Sequence, residues 1–301
     1  MKNILVIYYT QSGQLADIVN NFMLPFNQPD FVIEKVCIKP VHDYSFPWTG
    51  KEFWNAMPES VLGIPTELET FEFKQTSYDL IVFAYQPWFL SPSIPATSIL
   101  AHPSFKKIVA HAPIVTLIGA RNMWINSQAR IKKSLQTLSA KLVGNVALVD
   151  RHNNHASAVS ILYWMLTGKK DKYLGIFPKP GVSQEDILNS KSFGEIVKQH
   201  LLNNDWNGLQ QEIVNNNGLE VKTNLMFIEA RAKKLFLIWA NLASNSKRRS
   251  VVLYFFKYYL LIALFIIAPI VLIFYRVIFA PFLQNRIKKQ KEFIQGIREV
   301  K

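Results

Sequence analysis

Apolar positions in the first half of the chain fall in short, nearly continuous runs rather than in alternation. NILVIYY (3–9), FVIEKVCI (31–38), YDLIVFAY (78–85), APIVTLIG (112–119) and VGNVALVD (143–150) are each strand-sized and rich in Val and Ile. Continuous runs of this kind predict strands buried on both faces, as in a parallel sheet. Between them the apolar spacing changes to three and four. Leu15, Ile18, Val19 and Phe22 mark a helix over 14–24, and SQARIKKSLQTLSAKL marks another after the fourth run. Further helical spacing covers 183–202, 205–216 and 224–245. Strands alternating with helices predict an α/β, doubly wound, five-stranded parallel sheet, and ligands in such folds bind beyond the carboxyl ends of the strands. The expected division is 1–204 for this domain, 205–246 for a helical extension and 247–301 for an apolar segment with its basic flanks.

The apolar segment is YYLLIALFIIAPIVLIFY, Tyr258 to Tyr275, without a charge. As a helix it would be about 27 Å long, close to the thickness of a bilayer core. Lys247, Arg248 and Arg249 precede it, and Arg286, Lys288, Lys289 and Lys291 follow it. Both flanks therefore favour the cytoplasmic side. Pro269 lies mid-segment, where a bend would return the chain. A single tilted span and a re-entrant hairpin are both compatible with this pattern.

Charge sharpens the picture. The 301 residues carry a formal +13, and 247–301 holds eleven Lys/Arg against two Asp/Glu, which is +9 of that total. Cations that flank an apolar stretch suit an anionic membrane surface, whereas a nucleic-acid binder spreads them over a folded face. Nucleic acid is not an expected partner. The single cysteine, Cys37, has no partner in the chain, and its place in FVIEKVCI predicts a buried, inert thiol. The opening run ends at Tyr9 and is too short for the apolar core of a signal peptide.

Candidate chemistry gathers in the loops after the strands. YTQSGQL follows the first run, so Thr10, Gln11, Ser12, Gly13, Gln14 and Leu15 lie where a helix begins. Free N–H groups and the positive helix end form an anion site there. The turn lacks the glycine and lysine spacing of dinucleotide or P-loop motifs, so it reads either as a monophosphate site or as a plain helix cap. QPWFLSPSIP follows the third run with Pro87, Trp88, Phe89 and Leu90, and GARNMW follows the fourth with Gly119, Ala120, Arg121, Asn122 and Trp124. YSFPWTGKEFWNAMPESVLGIP, after the second run, adds Trp48 and Trp54 as candidate walls for an apolar substrate. DRHNNH, after the fifth, supplies His152 and His155, either as general bases or as a solvated turn. No other His/Cys cluster accompanies them and Asp150, so no metal is expected.

Three loops in order at three successive strand ends resemble the flavodoxin-like FMN proteins: TQSGQ matches their phosphate loop, QPWFLSPSIP the loop beside the isoalloxazine, and GARNMW their third cofactor loop. Leu15 departs from the pattern where a hydroxyl would fall. Taken with FPWT, LVDRHN and WMLTGKK, the chain resembles over its whole length the bacterial dialkylresorcinol-condensing enzyme family, whose members act as aromatases. That resemblance implies FMN as cofactor and an alkyl (carboxy)cyclohexane-1,3-dione as substrate, made by a partner ketosynthase and aromatised to a dialkylresorcinol of aryl-lipid pigments. It also implies membrane lipids as partners, a homodimer as an optional assembly, and a place on the cytoplasmic face of a bacterial inner membrane, anchored by residues 251–283. Under this expectation His152, His155 and Arg121 are catalytic. Thr10 to Leu15, Pro87 to Leu90, Gly119 to Asn122 and Trp124 hold the cofactor, and Trp48, Trp54 and Asn122 meet the substrate. A membrane-associated NAD(P)H:quinone oxidoreductase and a non-catalytic scaffold for the ketosynthase are the open alternatives.

Overall fold

The computed structural model describes residues 1–297; Arg298 to Lys301, the end of the expected 247–301 segment, lie outside the described residues. Five strands pair in parallel in the order β2 (Phe31–Cys37), β1 (Lys2–Tyr8), β3 (Leu80–Tyr85), β6 (Pro113–Ala120), β7 (Lys141–Val149). Counting only these strands along the chain, the order is 2-1-3-4-5, the flavodoxin-like doubly wound order, which reverses direction between β1 and β3. The five apolar runs are thus these strands, with ends shifted by a residue or two.

Each face of the sheet is covered. On one lie α1 (Gln14–Met23), α7 (Gln184–Asn203) and α8 (Leu209–Asn215), which bury Ile18, Phe22, Phe193, Val197 and Leu209 against Val6, Val82 and Val146. On the other lie α3 (Ile94–Ala101), α4 (Pro103–Val109) and α5 (Ile125–Thr137), which bury Ile99, Phe105, Ile131 and Leu135 against Phe83 and Ile114. α2 (Gly50–Leu62) leaves the sheet. Thr49 caps it, with Glu52 closing a capping box. Its buried Met57 and Val61 join Phe236 and Ala240 of α9 (Thr223–Asn245) and Leu253 and Phe256 beyond it. This annex beside the sheet is a second small core.

Two expectations change, and one open alternative is decided. Residues 205–221 belong to the α/β domain: Leu209 and Ile213 are fully buried beneath β7, and the Ala147 N–H donates to the Gly218 carbonyl at 2.8 Å. The extension therefore begins at α9. Cys37 is exposed, because β2 is an edge strand and Cys37 ends it. The apolar segment does not fold back at Pro269; one helix of 30 residues runs from Arg249 to Ile278. A π turn over Ala263–Ile267 precedes the proline and accommodates its missing donor. By length and composition this helix is able to cross a membrane.

α7 packs on α1 at Gly194, where a Cβ would run into the backbone carbonyl oxygen of Phe22. Backbone cannot yield as a side-chain tip does. Gly194→Ala should destabilise the protein by about 1–3 kcal/mol, read as a lower thermal midpoint; an unchanged midpoint would mean that α7 is not held this close.

Candidate functional site

The carboxyl ends of β1, β3, β6 and β7 lie side by side, and the segments leaving them form the site. After β1 the chain turns through Thr10 to Gly13, whose φ of 85° starts α1 with no side-chain cap. Nothing lies within 4 Å of a Cβ built on Gly13, so the N-terminus of α1 stands open. The Thr10 hydroxyl is buried without a partner. Gln11 donates to the Ser45 carbonyl at 3.0 Å, and Gln14 is bonded both ways to the Val182 backbone, at 3.0 and 3.1 Å. The Gln14 side chain therefore holds the start of α7 and is not free for a ligand. Leu15 is core, and with Ile18 it fits beneath Gly119, where a Cβ would meet their methyls at 3.3 and 3.1 Å. Ser12 stays at the rim of the turn.

After β3 come Gln86 and a hairpin of β4 (Pro87–Trp88) and β5 (Ser91–Pro92). Its two turn residues, Phe89 and Leu90, both have positive φ, 47° and 63°. Bulky side chains rarely take that conformation, and surrounding contacts hold it here. Phe89 packs on Phe53 with ring centroids 5.1 Å apart, and both turn residues reach the annex. They anchor the hairpin to the annex, and Phe89 also packs against the Trp48 cluster beside Trp88. Trp88 faces inward, 6.1 Å from Tyr9, 4.9 Å from Tyr44 and 5.1 Å from Trp48. Gln86 Oε1 and Ser93 Oγ are buried without partners.

After β6, Ala120 is buried and Arg121 donates through Nη1 to the main-chain carbonyl and Oδ1 of Asn154, both at 3.0 Å. Asn122 donates to the same Oδ1 at 3.1 Å, while its own Oδ1 is buried and unpartnered. Arg121 and Asn122 thereby fasten the first residue of α6 (Asn154–Thr167) across the strand ends. Burial pulls the Arg121 guanidinium down to about 10, against the opposing pull of Asp150 and Glu229. Trp124, expected at the cofactor, is 2 % exposed in the sheet core and begins α5.

After β7, fully buried Asp150 accepts from the backbone N–H of His152 at 2.9 Å and from the Ser157 hydroxyl at 2.7 Å. It also lies 2.7 Å from His152 Nδ1. A carboxylate at Nδ1 favours the tautomer with its proton there, which leaves Nε2 as the acceptor. His152 edges a cavity of about 790 Å³, rimmed also by Lys170, Lys172, Lys179 and Val182. Because Gln14 clasps Val182, this cavity adjoins the turn after β1. His155 points elsewhere: its Nε2 lies 3.2 Å from the Leu264 carbonyl and its ring faces Phe265 of the long helix. Trp54 likewise sits in the annex, 5.9 Å from Phe256.

One residue escaped the sequence reading. Glu229 of α9 is 1 % exposed and accepts the Asn126 N–H at 2.6 Å, while Asn126 Nδ2 donates to the Glu229 carbonyl at 2.7 Å. It thus caps the start of α5 beside Arg121. Its signal was an acid in the apolar stretch MFIEARAKKLF, which reads equally as a solvated helix position.

No family model matches the chain, and no curated protein matches it. Among solved structures it is similar to a flavoprotein from Lactobacillus acidophilus NCFM in complex with FMN, at 14% identity and a TM-score of 0.40, over 49% of this chain and 93% of that one. It is also similar to a Fusobacterium nucleatum flavodoxin bound to flavin mononucleotide, at 10% identity and a TM-score of 0.30, over 48% and 70% of the two chains.

Burial raises the Glu229 carboxyl to about 7, against the N–H groups of Asn126 and Ile125 and the charge of Arg121. A raised acid stabilises the fold below its unfolded value, and that contribution is lost as pH rises through the folded value. Glu229→Gln stays neutral, so its stability relative to the native chain should rise between pH 5 and pH 8 by up to about 3 kcal/mol. Thermal midpoints of both proteins across that range test this, and a gap that ignores pH would contradict it.

Proposed function

We propose that this chain is an FMN-dependent oxidoreductase that aromatises an alkyl (carboxy)cyclohexane-1,3-dione to a dialkylresorcinol at a membrane surface. The observation that carries the reading is the set of buried, unpartnered polar atoms at three adjacent strand ends: Thr10 Oγ1, Gln86 Oε1 and Asn122 Oδ1. Buried polar atoms are ordinarily partnered, and a ligand with a phosphate and a polar ring system would partner these. The open N-terminus of α1 with the Thr10 hydroxyl suits the phosphate, and Trp88, Gln86 and Asn122 would bound the ring. Gln14, Leu15 and Trp124 support these contacts from behind.

FMN, when bound, would supply the two-electron acceptor that the conversion needs, since a cyclohexanedione loses a hydride and a proton in becoming a resorcinol, and a ring carboxylate, where the substrate carries one, leaves as CO2. The chain's own residues supply the rest. His152 Nε2 takes a ring proton, and Asp150 fixes the imidazole and stabilises the cation that forms. Lys170 and Lys179 on the same cavity suit a carboxylate or enolate oxygen. Partial burial lowers the Lys170 ammonium, the Lys179 charge adds to this, and Asp17 opposes it. Arg121 and Asn122 keep α6 over the site and exclude water. A lipid-like substrate is supported by an unbroken series of rings: Phe256 to Trp54 at 5.9 Å, Trp54 to Phe53 at 5.0 Å, Phe53 to Trp48 at 5.9 Å and Trp48 to Trp88 at 5.1 Å. It leads from the long apolar helix to the strand ends. The family resemblance supplies the aromatase reading and the ketosynthase that would deliver the dione.

Two experiments test this. Thr10→Val removes a hydroxyl that has no partner within the protein, so stability should hold while FMN binding weakens by about tenfold, the equivalent of one hydrogen bond to a charged group; equal affinity would remove Thr10 from the site. Anaerobic mixing of the flavin-loaded chain with a synthetic 2,5-dialkylcyclohexane-1,3-dione should bleach the flavin as resorcinol forms, and His152→Gln should slow this by about 10²–10⁴-fold with flavin still bound. Bleaching by NADH but not by the dione would instead make the chain a quinone oxidoreductase. A chain that takes up no flavin would be the scaffold.

A further inference from the structure

We infer that the long apolar helix, Arg249–Ile278, lies in the plane of one membrane leaflet and does not cross the bilayer. The inference concerns how the protein sits on lipid and does not depend on the flavin reading.

The helix is held by the same folded domain at its start, middle and end. Arg249 donates to Glu59 at 2.6 Å and to the Asn55 carbonyl of α2 at 2.6 Å. One turn later Leu253 and Phe256 are buried among Met57, Phe236 and Ala240. In the middle, the Leu264 carbonyl lies 3.2 Å from His155 Nε2 of α6. At the far end the Tyr275 ring stacks on Phe227 of α9 at 3.6 Å, with the Arg231 guanidinium on that ring. Beyond it, the helix Gln284–Ile294 comes back to the sheet domain: Ile287 and Ile294 pack against its core, and Lys132 of α5 lies over the Phe293 ring at 5.2 Å.

A spanning helix would put its two ends in different compartments. Here both ends rest on one soluble body. Thirty residues of helix make about 45 Å, well beyond the roughly 30 Å of a hydrocarbon core, so even a span would need a steep tilt that these contacts forbid.

The face opposite the domain is apolar and open along the helix, with Tyr254, Phe255, Ile262 and Ile266 each about half exposed or more. On α9, Ile238 and Leu242 are likewise exposed. Aliphatic and aromatic side chains in this arrangement fit the acyl boundary of a leaflet. The exposed cations Lys247 and Arg248 at one end, and Arg286, Lys288 and Lys289 at the other, suit its anionic headgroups. The occupant is therefore a leaflet containing anionic phospholipid. It also resolves the charge pattern: both basic flanks prefer the same side because both are on it.

The test uses the full chain with Cys37→Ser, into which Lys247→Cys or Lys289→Cys is placed, in sealed membrane vesicles of uniform orientation. A membrane-impermeant maleimide added outside should label both positions or neither, and lysis should reveal both together when neither reacts. Labelling of one from outside and the other only after lysis would show a span and overturn the inference. A parallel arm mixes the purified chain with phosphatidylethanolamine vesicles with or without phosphatidylglycerol. Binding should weaken about tenfold without the anionic lipid, and Ile262→Asp should reduce it without lowering the thermal midpoint. Failure to bind either vesicle while the chain runs as a dimer would show that a second copy covers this face, and would also overturn the inference.

Discussion

The contact on which the arrangement turns is that of Glu229 with the start of α5. One oxygen of this buried acid accepts the Asn126 N–H at the helix N-terminus while Oε2 is left without a hydrogen-bond partner, and the charge of Arg121 only partly offsets the burial that raises its pKa. Through it α9 is pinned to the segment that follows β6, two residues beyond Trp124. α9 in turn carries the long apolar helix through Phe236, Ala240 and Phe227. A single buried acid thus ties α9 and the long apolar helix to the strand ends, and Arg121 feels the charges of both Glu229 and Asp150.

From that tie the rest of the site follows. Arg121 and Asn122 grip Asn154, so α6 begins over the carboxyl ends of β6 and β7. Where α6 ends, the Met165 carbonyl accepts the N–H of Trp48 at 2.8 Å, which links it to the aromatic cluster after β2. The roof thereby spans the site from the basic residue after β7 to the aromatic wall after β3. Polar groups beneath it are left without partners, while the apolar ones are closely packed.

The sheet was legible in the sequence because β1, β3, β6 and β7 are near-continuous apolar runs, as strands covered on both faces require, while edge strand β2 carries Glu34 and Lys35. Their order also placed Thr10, Asn122 and His152 at one edge. Less legible were residues whose neighbours are distant in sequence. His155 and Trp54 carry suitable chemistry, but their partners, Leu264 and Phe256, lie in the long helix, and no local pattern shows that. Gln14 looked like a phosphate donor until Val182, 168 residues away, claimed it. α2 is readable from the Thr49-x-x-Glu52 box, although its aromatic residues equally suit a binding loop. Pro269 left a bend and a continuous helix both open, and the π turn before it lets the helix continue.

The most direct test of the central claim is a titration of the detergent-solubilised full chain with FMN, followed by quenching of flavin fluorescence, beside the same titration with riboflavin. If the turn from Thr10 to Gly13 holds a phosphate at the start of α1, FMN should saturate at one per chain and bind about tenfold or more tighter than riboflavin, the equivalent of roughly 1.5 kcal/mol or more from charge-assisted bonds. Equal binding of the two, or no saturable binding of either, would contradict the account at its root.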